Sequence, residues 1–540
     1  MFITLHTIAL MLYAIFLTFA RIWILMVASV LMAIFLGILS ARVKSAGAII
    51  IPITDVLESV PVVSFFPIIL IFLIDRVGGG LGIELAVDFL IITALIWNLI
   101  LGVYQAVSQI PEQMFNIVKV YRFSGFKKLT KLYIPASYNQ IIANIMPSFA
   151  SALFYITFSE VITVGNENYN VFGIGSLSLQ YANAGEYSLI WVLILFIVVA
   201  IALSYYFIIN PLLKRSSTYK FETSPEEGEM TRETRLSALA SSVNTRIRQV
   251  ISSGVTALES INRPSEGGEP NRVKIRRFSE RSLNIITGAI LLFFVGLAIY
   301  LVAEAGFADA FSKYLLNGSS LLTLTFATLF DLARIATVFA ISFATMVPIA
   351  IYFGLKGKTG RFFTGGFQVL YSIPVPVLLP IIIAFFTPRL TPVLGERIAF
   401  DFNVFFVTYL SAAAYIFFNV YGSALSIPSE LKTIVRTYNI SGFKKLRYLL
   451  FPGIFPGLVT GSMAAFGSYW GGLQVSEYIV IQSKTYAVHR GLMMLIERAI
   501  ANGNLLYADA IDIYLVFVVT AISFLLWMRL YKYSQNRFRS

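Results

Sequence analysis

The sequence predicts an all-α, polytopic membrane protein built from two copies of one helical unit. Three observations predict it. Hydrophobic residues make up 57% and charged residues 13% of the 540 positions, and mean hydropathy is +0.78; a soluble globular chain is about a quarter charged. Apolar runs close to the roughly 20 residues that cross a bilayer as helix recur at 89–107, 189–209, 285–302, 335–354, 402–420 and 513–527. The phrase SGFKKL occurs twice, at Ser124–Leu129 and Ser441–Leu446, 317 residues apart. A large soluble helical core does not fit, because no polar face opposes the apolar runs.

The repeat extends well beyond six residues. At the same offset Ile110-Pro111 falls on Ile427-Pro428, Tyr121 on Tyr438, Pro135 on Pro452 and Ser159-Glu160 on Ser476-Glu477. Upstream the offset becomes 313: Ala20-Arg21-Ile22 matches Ala333-Arg334-Ile335, and Ser59, Pro61 and Pro67 match Ser372, Pro374 and Pro380. The second copy therefore has four extra residues between Pro380 and Val420, expected in a loop at 387–399 because loops absorb insertions. Residues 1–212 form the first half and 283–540 the second, which begins with an extra helix at 284–303.

Residues 213–282 form a polar linker rich in Ser, Glu and Arg. Within it, Leu236, Ala240, Val243, Ile247, Val250, Ile251 and Leu258 have roughly helical spacing, so one amphipathic helix flanked by disorder is expected. A surface helix resting on the protein or on headgroups is the plain reading of it.

Basic residues beside the spans give the orientation. They cluster at Arg42/Lys44, Lys119–Lys131, Lys214/Arg215, Lys356/Lys358/Arg361, Lys432–Arg447 and Arg529–Arg539. Placing all of them inside makes the spans alternate consistently, with both SGFKKL loops, the linker and the C-terminus cytoplasmic. Six spans then separate the two loops, an even number, so the repeats are parallel. Residues 3–40 are either one long helix or two spans turning near Arg21. No Gly or Pro marks a turn there, which favours about eleven spans, five plus six. The expected location is the plasma membrane. The start, MFITLHTIALML, lacks a basic segment, so no cleaved signal peptide is expected. With no cysteine, disulfides and thiolate metal sites are excluded.

Each duplicated loop is built like a short helix for docking. Pro111 and Pro428 sit where a helix favours proline, in its first turn, with Glu112 and Glu430 beside them. Met114, Ile117, Val118 and Tyr121 follow at helical spacing, and Leu431, Ile434, Val435 and Tyr438 repeat the stripe. Gly125 and Gly442, after Ser124 and Ser441, are placed where a helix ends in a left-handed residue. Lys127 and Lys444 begin a second basic segment, and Pro135 or Pro452 opens the next span. A helix lying on the lipid interface is the plainer reading. Two copies on one face, however, are what a two-fold partner docks onto.

At these residues the chain resembles the permease subunits of ATP-binding-cassette importers of type I. The resemblance is to the duplicated permeases of the nitrate/sulfonate/bicarbonate group, a group of anion transporters. It is carried by Phe451-Pro452, Pro456-Gly457, Gly461, Ala464, Gly467, Trp470 and Ser476-Glu477 after the loop, and by the tail WMRLYKY from Trp527. It covers most of both halves, but not the linker or 284–303. The family's coupling-helix glycine lies thirteen residues before the proline, where this chain has Arg122 and Asn439, and the family's Ala-Ala pair is absent. The resemblance implies two ATPase subunits under the coupling helices, ATP and Mg bound by those partners and not by this chain, an extracytoplasmic substrate-binding protein, and alternating access for a small anion.

Other signals are weaker. Gly357-Lys358-Thr359 matches the end of a phosphate-binding loop, but Tyr352 stands where such a loop needs glycine. His6 and His489 are isolated, no carboxylate cluster has metal-ligand spacing, and no enzymatic residues are expected. The net charge of +13 reflects the inside bias of basic residues, and no nucleic-acid partner is needed to explain it. Asp331 looks like a helix-start residue. Arg21 with Arg334, and Glu160 with Glu477, are charges at or near membrane depth and so candidates for the translocation path; a structural Arg–Glu pair in each half is the competing reading. A secondary transporter with parallel repeats and no ATPase is the alternative function. It calls for intramembrane carboxylates or a broken-helix ion site.

Overall fold

A computed structural model describes residues 4–59, 66–164, 167–216, 307–356, 358–427 and 429–538. The first half runs α1 (Leu5–Arg42), α2 (Lys44–Ser59), α3 (Phe66–Val77), α4 (Gly79–Ser108), the short α5 (Glu112–Val120) and the long α6 (Gly125–Ser159). A hairpin, β1 (Val161–Val164) and β2 (Glu167–Asn170), leads into α7 (Ile174–Asn183) and α8 (Tyr187–Leu213). The second half repeats every element: α9 (Gly318–Gly354), α10 (Lys358–Tyr371), α11 (Val375–Leu425), α12 (Ser429–Thr437), α13 (Gly442–Ser476), β3 (Tyr478–Ile481), β4 (Lys484–Ala487), α14 (Leu492–Ala501) and α15 (Leu505–Ser534). Both hairpins are antiparallel in equivalent register, Val161 opposite Asn170 and Tyr478 opposite Ala487. Residues 213–216, the start of the expected linker, continue the helix; the rest of the linker, its amphipathic segment and the extra helix at 284–303 lie outside the described residues.

Eight helices among the described residues are long and apolar enough to cross a membrane. One of them, α11, holds two crossings, because Gly395 breaks its helical backbone with φ 78°. In the first half the same break falls at Gly78, φ 94°, between α3 and α4. The stretch expected as one helix or two spans is the single helix Leu5–Arg42, and the physical cause is the lack of any Gly or Pro near Arg21. The Arg42 guanidinium at the end of α1 lies 4.1 Å over the Phe115 ring of α5, so α1 and α4 both end on the α5 face. The chain returns to the opposite face through α2 and α3. By length and composition the described residues thus give four candidate spans in each half, with α11 long enough for two crossings.

The glycine breaks also locate the insertion. Gly78 and Gly395 are already at the 317 offset, so the four extra residues lie between Pro380 and Gly395. The loop expected at 387–399 is instead helical except at Gly395. In a membrane every backbone polar group must be satisfied within the segment. Four residues are close to one helical turn of about 3.6, so the insertion lengthens a helix without rotating the face beyond it.

The two halves are parallel. Gln482, at the tip of the second hairpin, donates its backbone N–H to Asn183 Oδ1 at 3.0 Å and its side-chain amide to the Ala182 carbonyl at 3.2 Å. Those residues end α7, the element that follows the first hairpin, so the equivalent ends of the two units meet. Buried side chains of both halves form one continuous core, with Phe149 in α6 and Phe417, Tyr469 and Trp470 in α11 and α13 among its largest members. Cysteines introduced at Lys127 and Lys444 in this cysteine-free chain are expected to react with a membrane-impermeant maleimide only from the cytoplasmic side. Labelling of the two from opposite sides would overturn the parallel arrangement.

Candidate functional site

In α5 Val118 is turned into the protein, while Ile117, Val120 and Tyr121 face out, Tyr121 with 72% of its surface exposed. The second copy repeats the division: Val435 is half-buried, whereas Leu431, Ile434 and Tyr438 are exposed, Tyr438 at 74%. The apolar stripe read from spacing therefore has two functions. Val118 with Met114, and Val435 in the second copy, anchor the helix to its body, and the others form a free apolar surface. Among the other residues singled out, Pro111 is the N-cap, Glu112 lies in the first turn and Met114 is half-buried. Glu430 lies in α12, and Pro428 is outside the described residues.

The ends of these helices differ from expectation. The left-handed residues are Arg122, φ 49°, and Asn439, φ 50°, not Gly125. A backbone N–H then reaches back five residues, Phe123 to the Val118 carbonyl at 3.1 Å and Ile440 to the Val435 carbonyl at 2.9 Å. This is the Schellman closure, in which a left-handed residue lets the chain satisfy the last carbonyls. The places where the resembled family carries its glycine keep the left-handed backbone here, with non-glycine residues. Gly442 is also left-handed, φ 56°, but it stands at the start of α13.

SGFKKL thus opens the next helix. The Ser124 hydroxyl accepts from the Lys127 N–H at 3.3 Å as an N-cap, and Ser441 holds the same position without that side-chain bond. Pro135 and Pro452 do not open the spans either. Each lies just past a π-helical turn, Leu129–Tyr133 or Leu446–Leu450. Proline lacks an N–H and its ring crowds the carbonyl four residues back, and a widened turn relieves both. The helix is consequently continuous from the duplicated loop to the far face.

Between the halves lies a cavity of about 690 Å³. Both halves line it: Asn98 and Gln105 from α4, Gln140 and Asn144 from α6, Gln368 from α10, Asn419 from α11, Thr460 from α13 and Lys532 from α15. Its lining among the described residues includes no carboxylate. Tyr371, Tyr415 and Ala150 separate it from a smaller space of about 40 Å³ that also touches Ser151, Tyr155 and Ser411. There the Ser151 and Tyr415 hydroxyls meet at 2.8 Å across the two halves, and the Tyr371 hydroxyl donates to the Ser411 carbonyl at 2.6 Å. The amides were readable as lone polar residues within apolar spans, a signal that attention to charge alone passes over.

Arg21, Arg334, Glu160 and Glu477 are absent from that lining. Glu160 caps α7: its carboxylate accepts the Gly175 N–H at 2.5 Å and the Thr18 hydroxyl at 2.8 Å, while Thr18 accepts the Ile174 N–H at 3.1 Å. A carboxylate at a helix N-terminus meets orphan N–H groups and the positive end of the dipole. Arg21 pairs elsewhere, with Glu84 at 2.6 Å and Asp88 at 3.7 Å. In the second half Glu477 caps α14 through the Met494 N–H at 3.0 Å, and Asp331 stands in place of Thr18, accepting the Leu492 N–H at 2.7 Å. Asp331 is therefore a buried mid-helix residue, not a helix start. Its added charge is met by Arg334, which reaches Asp331 at 3.1 Å, Glu477 at 2.9 Å and Asp401 at 3.2 Å. The Arg–Glu pair exists in the second half, whereas in the first the two residues go to different partners. A methyl group on Gly173 or Gly491 would collide with the Glu160 or Glu477 carboxylate, which accounts for glycine at both places.

Comparison with known proteins agrees with the duplication. A family profile described as "Binding-protein-dependent transport system inner membrane component" matches residues 33–215 and again 340–540, together more than half of the chain. No curated protein and no solved structure matches it.

Proposed function

We propose that the chain, which belongs to the family of binding-protein-dependent transport system inner membrane components, is a fused permease of an ATP-driven importer in the plasma membrane. One polypeptide supplies both membrane halves, 1–212 and 283–540, joined by the linker 213–282. Two separate ATPase subunits, which bind the ATP and Mg, dock under α5 and α12, and an extracytoplasmic protein delivers the cargo. The observation that carries this reading is the pair of exposed apolar surfaces, Ile117/Tyr121 and Ile434/Tyr438, on helices otherwise fixed to the body.

The geometry supports a mechanism. Helix α6 begins three residues after Arg122 and, at about 1.5 Å per residue, its 35 residues span the membrane. It carries Gln140 and Asn144 on the cavity and Ser151 at the tyrosine layer. Movement of α5 by the closing ATPases turns this lever and separates Ser151 from Tyr415. That bond joins the halves beyond the cavity, as the Gln482 contacts do at the hairpin end.

The cargo is a small oxyanion of the nitrate, sulfonate or bicarbonate kind. The resemblance of the segment after Phe451 supports it. So does a lining of amide and hydroxyl donors with Lys532 and no carboxylate among the described residues. Purified permease in proteoliposomes with its ATPase and delivery protein is expected to accumulate the anion only when ATP is supplied. Accumulation driven by a proton or sodium gradient without the ATPase would make it a secondary transporter, and preferential uptake of a neutral sugar or a cation would defeat the anion assignment.

A further inference from the structure

The second half carries a basic pocket on its outer end whose three basic residues have no counterpart in the first half. Arg397, just past the Gly395 break, meets His489 and Arg498 around a space of about 450 Å³ that Tyr478, Thr485 and Asn502 also line. It lies beside the second hairpin, at the end of α13 opposite the docking loop, and therefore on the extracytoplasmic side. Arg397, His489 and Arg498 are all exposed, and none of them has an ion pair among the described residues. The nearest sequence carboxylate, Glu396, is engaged by Lys484 at 2.9 Å, and Glu497 bonds Gln474 at 3.2 Å.

Two arguments remove the structural explanation. The first half builds the same break, hairpin and short helix with Gly80, Phe172 and Gln180 at the matching positions, so the fold does not need the cations. Short extracytoplasmic loops are normally depleted of Lys and Arg, so a cluster there opposes the insertion bias. Guanidinium groups present forked donors that match planar or tetrahedral oxyanions, and hydroxyl and amide groups complete such a shell.

We propose that this pocket is an outer receiving site for a small oxyanion, held by Arg397 and Arg498 before it enters the path between the halves. The identity of the occupant rests on the anion reading above; the existence of the site does not. The full chain in lipid nanodiscs is titrated with nitrate and with sulfate by calorimetry at constant ionic strength, with chloride as control. Saturable oxyanion binding is expected, weakened at least tenfold in the Arg397→Gln/Arg498→Gln double variant, with the melting temperature unchanged because both side chains are exposed. Unaltered anion affinity in the double variant overturns the proposal. So does unaltered affinity together with lost stimulation of the ATPase by the delivery protein, which makes the pocket a docking contact. If the parent binds the oxyanion here yet accumulates a neutral solute, the cargo reading fails and the site stands.

Discussion

Replacing Tyr121 or Tyr438 by aspartate is expected to uncouple ATP hydrolysis from transport while the protein still folds and inserts. Both rings are mostly exposed, so the substitution removes little packing within the chain. In the proposed importer the same position is covered by the ATPase, where a desolvated, unpaired charge costs about 2–5 kcal/mol. A cost on the order of 3 kcal/mol weakens docking by more than about a hundredfold. Substrate-stimulated ATPase activity in proteoliposomes is therefore expected to fall at least tenfold, with normal membrane insertion by fractionation. The two variants need not be equally damaged, because the surroundings differ: Glu112 and Arg122 flank one ring's helix, Ser429 and Asn439 the other. Full stimulation in both variants would show that these helices are not the docking site.

Replacing Arg334 by glutamine is expected to destabilise the protein far more than the equivalent change at Arg21. Arg334 faces Asp331 and Glu477, whose side chains have no exposed surface, and also Asp401. Removing one partner of a buried charged network leaves the others uncompensated, at about 3–5 kcal/mol. Arg21, 17% exposed, pairs with Glu84, 46% exposed, and a pair that solvent reaches from one side contributes less, about 1 kcal/mol. Thermal melting in nanodiscs is the measurement. Adding Asp331→Thr to Arg334→Gln imports the first half's solution, where Thr18 serves the helix N-terminus without a charge, and part of the lost stability is expected to return. Equal melting shifts for the two arginine variants would mean that the Arg334 network does not carry the load the geometry assigns. A variant that melts normally but loses uptake would instead return Arg334 to the path.

Legibility of the candidate site followed the range of the forces involved. The two short amphipathic helices α5 and α12 are legible because their stripe, proline start and basic flank are local, and because they occur twice. Their ends are not legible: spacing points to Gly125 as the terminator, whereas the left-handed residue is Arg122, where the Val118 and Lys119 carbonyls find their donors. Glu160 and Glu477 were recognisable as costly charges, but sequence gives no direction to a side chain. Both turn to the N-terminus of a helix more than ten residues later in the chain, away from the cavity.

What the sequence by itself determined was the membrane class, the duplication and the parallel orientation, because composition, periodicity and basic flanks act segment by segment in a bilayer. The tertiary structure decided the rest. It converted a four-residue insertion into one helical turn, since backbone polar groups in lipid must be satisfied within the helix. It gathered Asn98, Asn144, Gln368 and Asn419 from four distant helices into one cavity. It divided the duplicated arginines between a half-exposed pair and a buried network, because Asp331, where the first half has Thr18, adds a charge that the second half's buried helix end must balance.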